Sequence, residues 1–178
     1  LPVEFGEVTS VTNSTPLSIP DPTFSRFRTS LTNFANYAIL DYQTASSPIF
    51  FGSSGVVADI NVGVNIAHTW DWDIDIRLKA PDGTIIDLAS RRGGSGDNFI
   101  GTFFNDETST HISAGSAPFT GTFRPEQQLS NFDGLQTFGT WELLVFDRLV
   151  GFEGTILDWT LDITYDVPNP PTPVTQTV

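Results

Sequence analysis

Strict alternation of apolar and polar residues sets most of what this chain can fold into. Ile60, Val62, Val64 and Ile66 are separated by Asn61, Gly63 and Asn65, a period of two that sends one set of side chains to a core and the other away from it. The same period returns twice. Ile74, Ile76 and Leu78 oppose Asp73, Asp75, Arg77 and Lys79, and Trp159, Leu161, Ile163 and Tyr165 oppose Asp158, Thr160, Asp162 and Thr164. Pro81-Asp82-Gly83 reads as a turn, because Pro presets φ and Gly supplies a positive one. Thr84–Leu88 is therefore expected to return as the second strand of an antiparallel hairpin. Phe99–Phe104 and Thr140–Phe146 complete the regular strands, and Phe24–Ala38 can hold a short helix. With 15 Phe, 15 Gly and 12 Pro in 178 residues, short strands and tight turns are expected throughout. The resulting expectation is one all-β domain over residues 1–166: two antiparallel sheets packed as a sandwich around Ile60, Val62, Val64, Ile66, Ile74, Ile76, Leu78, Trp141, Leu143, Trp159, Leu161 and Ile163.

Charge narrows the partners. The formal net charge is −13, and the few basic residues all fall between Arg26 and Arg148, so no polybasic arm exists for nucleic acid or anionic lipid. A basic partner or a hard cation suits such a surface better. No apolar run reaches the roughly 18 residues of a membrane span. The absence of Cys removes disulfides, thiolate metal sites and Cys nucleophiles. A start at Leu1 instead of Met reads as a processed or trimmed product.

Catalytic constellations are hard to assemble. The nearest approach to a nucleophile elbow, Gly93-Gly94-Ser95-Gly96-Asp97, has Asp where the fifth position needs Gly. His68 ends a buried-pattern strand and is expected to be satisfied by neighbouring backbone, while His111 has no identifiable partner. Asp71, Asp73 and Asp75 imitate the start of an EF-hand loop, but Ile76 stands at the position that needs Gly and Asp82 at the one that needs Glu. On a strand the three carboxylates share one face. Two readings stay open: a solvated face with Arg77 as counterion, or a calcium site that recruits Asp106, Glu107 and Asp147 from other loops. Trp70 and Trp72 flank Asp71 and could stack on a sugar, whereas Trp141 and Trp159 belong to the core. The Gly93–Gly96 loop is expected to be a turn.

Ordered blocks from Val56 to Tyr165 resemble the P domain, or Homo B domain, that accompanies the catalytic domain of proprotein convertases and many bacterial subtilisin-like proteases. They are His68-Thr69 with Asp73-Ile74 and Ile76, Ala80-Pro81-Asp82-Gly83-Thr84, Gly93-Gly94-Ser95-Gly96-Asp97-Asn98, Thr102 with Phe104 and Asp106, Ala117-Pro118-Phe119-Thr120-Gly121 with Arg124-Pro125, Gly139-Thr140-Trp141, Asp147, and Gly154-Thr155 with Trp159. The resemblance implies a secreted, jelly-roll-like antiparallel β-sandwich without an active site of its own, packed against a subtilisin-like catalytic domain, with calcium in some bacterial members. A calcium site here would use Asp71, Asp73, Asp106, Glu107 and Asp147. The chain departs from the pattern at Trp72, where a small residue is usual, and at Asn105 and Phe152, where acids are usual. Residues 21–54 form a longer connection than usual. Residues 167–178 carry four Pro and no charged side chain, and read as a linker or as a segment for assembly with other copies. In that alternative the chain is a self-assembling extracellular subunit of a filament or surface layer, with Val174–Val178 or Val3–Val11 adding to a neighbour's sheet edge.

Overall fold

The alternating segment around Val62 lies in β4 (Val56–His68), a strand hydrogen-bonded on both sides, which the computed structural model of residues 23–170 places inside a larger sheet. One sheet runs β1 (Phe24–Asn33), β10 (Gly154–Pro168), β4, β7 (Phe99–Phe104) and β8 (Phe119–Phe123), with the short β2 (Tyr37–Ile39) also pairing β10. The second runs β3 (Thr44–Phe51), β9 (Gly139–Asp147), β5 (Ile74–Lys79) and β6 (Ile85–Ser90). The expected β5–β6 hairpin is present, closed by Ala80 and Thr84 across the Pro81–Gly83 turn. The two sheets form a jelly-roll-like sandwich. Every residue expected in the core is at most 2% exposed, which is the outcome of turning each alternating set inward.

Trp159 of β10 and Trp141 of β9 face one another's layer, and their ring N–H groups are not left bare in it. Trp159 Nε1 donates to Ser47 Oγ of β3 at 2.9 Å, and Trp141 Nε1 donates to Thr137 O at 3.0 Å. The first of these bonds runs from one sheet to the other. Pro48 sits within β3 at the edge of its sheet, the place where a missing N–H is tolerated.

Four expectations need correction. Phe24–Asn33 is β1, a strand and not a helix. Its residues are mostly exposed, and it is held by β10 through pairs such as Arg26 with Asp166 and Arg28 with Asp162, partners too distant in sequence for local pattern to show. The long connection at 21–54 is largely structured, since it contains β1, β2 and β3. The sheets are not wholly antiparallel, because β7 and β8 pair in parallel. Finally, β10 continues through Val167 and Pro168, opposite Ser25 and Phe24, so the sheet takes in the first residues of the expected tail. The assembly segments Val3–Val11 and Val174–Val178 lie outside the described residues.

Candidate functional site

One end of the sandwich collects the chemistry. There the β2–β3 turn, the β4–β5 connection, the Arg91–Asn98 loop and the β9–β10 loop meet. The non-glycine residues with left-handed backbone among the described residues, Tyr42, Arg91 and Asn98, all belong to these connections, a concentration of strained conformation that points to a used surface. The opposite end carries the start of β1 and the end of β10, joined by Asn169 N–H donating to Thr23 O.

The Asp run does not lie on a strand face. Asp71 and Asp73 sit in a 3-10 turn, where the repeat is three and not two, and only Asp75 enters β5. All three are buried, so the solvated-face reading is wrong even though Arg77 does reach Asp75. Asp75 accepts from Ser90 Oγ at 2.6 Å and from Arg77 at 3.4 Å, and it also binds Arg148. Asp71 Oδ1 accepts the Asn98 N–H at 2.9 Å, while its Oδ2 is buried with no partner. Burial, opposed by that hydrogen bond and reinforced by Asp97, pushes the Asp71 carboxyl up to about 7. Asp73 is raised as well, chiefly by burial and then by the Asp147 charge. Its Oδ1 is likewise unpartnered, as is Oδ1 of Asp41, whose other oxygen accepts the Gly151 N–H.

His68 and Asp147 make a pair that spacing could not reveal. Both side chains are fully buried, with Nε2 to Oδ2 at 3.3 Å, and the other ring nitrogen lies 3.0 Å from Trp70 O. The expected backbone contact is present, but a carboxylate holds the second nitrogen. Asp147 Oδ1 accepts the Leu149 N–H. The pair therefore ties the end of β4 to the end of β9. His111, expected to be unpartnered, lies 2.7 Å from Ser113 Oγ and caps a 3-10 turn at Ile112–Ala114 by accepting the Ser113 N–H. No carboxylate engages its second nitrogen among the described residues.

The five carboxylates proposed for calcium split into two groups. Asp71, Asp73 and Asp147 are at the Asn98 end of β7. Asp106 and Glu107 follow Phe104 at its other end, roughly 20 Å away by strand rise. There Asp106 accepts the N–H groups of Leu129 and Ser130 at 3.0 and 2.8 Å. Its group includes Asp59 and Asp133, both raised by burial first and then by neighbouring acids. The two groups lie at opposite ends of β7, so the five expected ligands do not converge on one ion. Asp106→Ala is expected to lower stability by about 1 to 2 kcal/mol through the lost cap. The loss should be equal in chelator and in saturating calcium. A melting curve in which calcium alone sets the size of that loss would return Asp106 to a metal.

The surface around the buried acids is aromatic. Trp70 stacks on Phe152 with centroids 5.0 Å apart and 23° between planes, and the Arg91 guanidinium lies 3.6 Å over the Trp72 ring. Trp70 and Trp72 are 36% and 39% exposed. Phe152 is thus a ring partner for Trp70. The sequence points to both Trp residues, whereas Phe152 on Trp70 and Asp41 on the Gly151 N–H follow from the β2–β3 and β9–β10 loops, which meet only in the fold.

A family model for the proprotein convertase P-domain matches residues 57–163. The leupeptin-inactivating enzyme 1 of Streptomyces exfoliatus is 42% identical over 80 residues, which cover 42% of this chain and 18% of that protein. The crystal structure of the serine protease of Aeromonas sobria superposes with a TM-score of 0.53 at 19% identity, and its complex with a chaperone with a TM-score of 0.52 at 20% identity. Each superposition covers 82% of this chain and 28% of that one, a likeness of fold. The chain spans well under a third of these proteins.

Proposed function

Because this chain belongs to the proprotein convertase P-domain family, we propose that it is a non-catalytic accessory module, secreted with and packed against a subtilisin-like catalytic domain that it stabilises. The observation that carries this reading is where the chemistry sits. The side chains of the His68–Asp147 pair are fully buried, and both ring nitrogens are already engaged, one with Trp70 O and one with Asp147, so neither is left to activate a nucleophile. What the same end offers to solvent is Trp70, Trp72, Leu149, Val150 and Phe152, an apolar surface suited to contact and not to turnover. No helix among the described residues is long and apolar enough to cross a membrane.

The test is to express the subtilisin-like catalytic domain encoded with this module, alone and together with it. The module is expected to co-purify with the catalytic domain and to raise its melting temperature, since a partner that binds only the folded state stabilises by mass action. The module by itself should turn over no peptide, ester or glycoside. A catalytic domain whose folding yield and melting temperature are indifferent to the module would refute the accessory role.

A further inference from the structure

Between the ends of β4 and β10 lies an open cleft of about 380 Å³, whose lining includes Thr69, Asn98, Glu153 and Thr155. It is preformed. Asn98 is locked in a left-handed conformation by its N–H on Asp71 and His68 O, by its side-chain Oδ1 accepting the His68 N–H, and by its carbonyl accepting from Phe119 N. Gly154 closes the floor, because a Cβ there would come within 2.5 Å of Ala67 O and of the His68 ring.

The charges of this end are unbalanced in one direction. Its arginines are already engaged: Arg91 over Trp72, Arg148 on Asp75, Arg92 on Glu126. Glu153, exposed in the cleft, and Asp97, next to Asn98, make no ion pair among the described residues. The stacked rings of Trp70 and Phe152 are each one residue along the chain from a lining residue, Thr69 and Glu153, and both are more than a third exposed. A carboxylate beside an exposed indole is the recognition chemistry of a cation. The protein already shows that pairing with its own Arg91 on Trp72, and a net charge of −13 draws such a ligand in.

We propose that this cleft binds a Lys or Arg side chain carried by a partner polypeptide, with the cationic head on Glu153 and the aliphatic stem along Trp70 and Phe152. The site shares Trp70 and Phe152 with the contact surface of the accessory role, but it rests on the cleft and on Glu153, and the test on the free module reads it separately from that role. It is tested on the free module by titrating the peptide acetyl-Gly-Arg-Arg-Gly-amide and following backbone amide resonances. Saturable shifts are expected at Thr69, Asn98, Glu153 and Thr155. Glu153→Gln should weaken binding by about five- to tenfold and keep the melting temperature, because Glu153 is exposed and unpaired among the described residues. Trp70→Ala should weaken binding by at least as much, and because it also removes the stacking on Phe152 its affinity is read at a temperature where the amide spectrum shows the variant folded. Glu107→Gln, at the opposite end, should leave affinity unchanged. The corresponding Gly-Glu-Glu-Gly peptide and a chitin hexasaccharide should cause no shifts. Absence of saturable shifts at millimolar peptide overturns the proposal. So do equal losses for Glu107→Gln and Glu153→Gln, which would mean diffuse charge attraction, or shifts caused by the sugar in place of the basic peptide.

Discussion

Trp159→Ala is expected to lower the unfolding free energy by about 3 to 5 kcal/mol, the range for emptying a buried aromatic site. The ring is fully buried and lies opposite Val64 of β4 and Asn33 of β1 in the register of its sheet. Two losses add. The apolar atoms leave a cavity that the neighbouring strands, held in register by their pairing with β10, cannot collapse to fill. The Ser47 hydroxyl, itself 0% exposed, also loses the indole N–H that joins it to the other sheet. Trp159→Phe separates the two effects, since it restores much of the apolar volume but not the donor, and should retain about half of the lost stability. Ser47→Ala leaves the Trp159 N–H buried without an acceptor and should cost about 1 to 3 kcal/mol alone. Combined with Trp159→Phe its effect should be less than additive, because the bond is already gone. Urea unfolding checks all three, with the denaturant slope constant if only the folded state has changed. A Trp159→Ala protein as stable as the wild type would mean that the ring is not in the core.

These strands were legible for a single reason: one face of each is buried and the other is not. β4, β5 and β10 carry that contrast in their own residues, so their positions could be read to within a few residues. β1 does not. Phe24 and Phe27 are 53% and 48% exposed, and what makes the segment a strand is its pairing with β10, as when Arg26 reaches Asp166 from 140 residues away. β8 was hidden for a related reason, standing amid Gly and Pro and paired in parallel with β7, a contact no hairpin turn announces.

The site was legible in its residue types and not in its geometry. Asp71, Asp73 and Asp147 do gather at one end, but period-two reasoning failed at Trp70, where the chain leaves β4 for a 3-10 turn and rotates Asp71 and Asp73 inward. Asp106 and Glu107 look equivalent to them in sequence. Only the direction of β7 shows that they belong to the opposite end.

The rotated Asp71 carries a pH signature of unusual sign, and Asp71→Asn is expected to expose it. A carboxyl that titrates near 3.8 when unfolded and at about 7 when folded binds more protons in the native state throughout that interval. Stability must therefore fall as pH rises from about 4 to about 7, the reverse of an ion-paired carboxylate. The full span corresponds to at most about 4 kcal/mol. Asn keeps an oxygen for the Asn98 N–H but cannot ionise. Its second polar atom remains without a partner, yet a neutral orphan costs less than a charged one. Near pH 4 the variant should match the wild type to within about 1 kcal/mol. By pH 8 it should be more stable by about 2 to 4 kcal/mol, with the gap opening through pH 6 and then levelling. Asp73, Asp59 and Asp133 are raised in the same sense, whereas Glu142, held low by its hydrogen bond from Lys79, and Asp166, held low by Arg26, act oppositely and lose their contribution as pH falls. Because these groups remain in both proteins, the difference between the two stability profiles isolates Asp71. Urea unfolding at pH 4, 6 and 8 measures that difference. A gap that stays constant across pH would show that the Asp71 carboxyl keeps its ordinary acidity, and that the buried oxygen beside Gly93 is solvated after all.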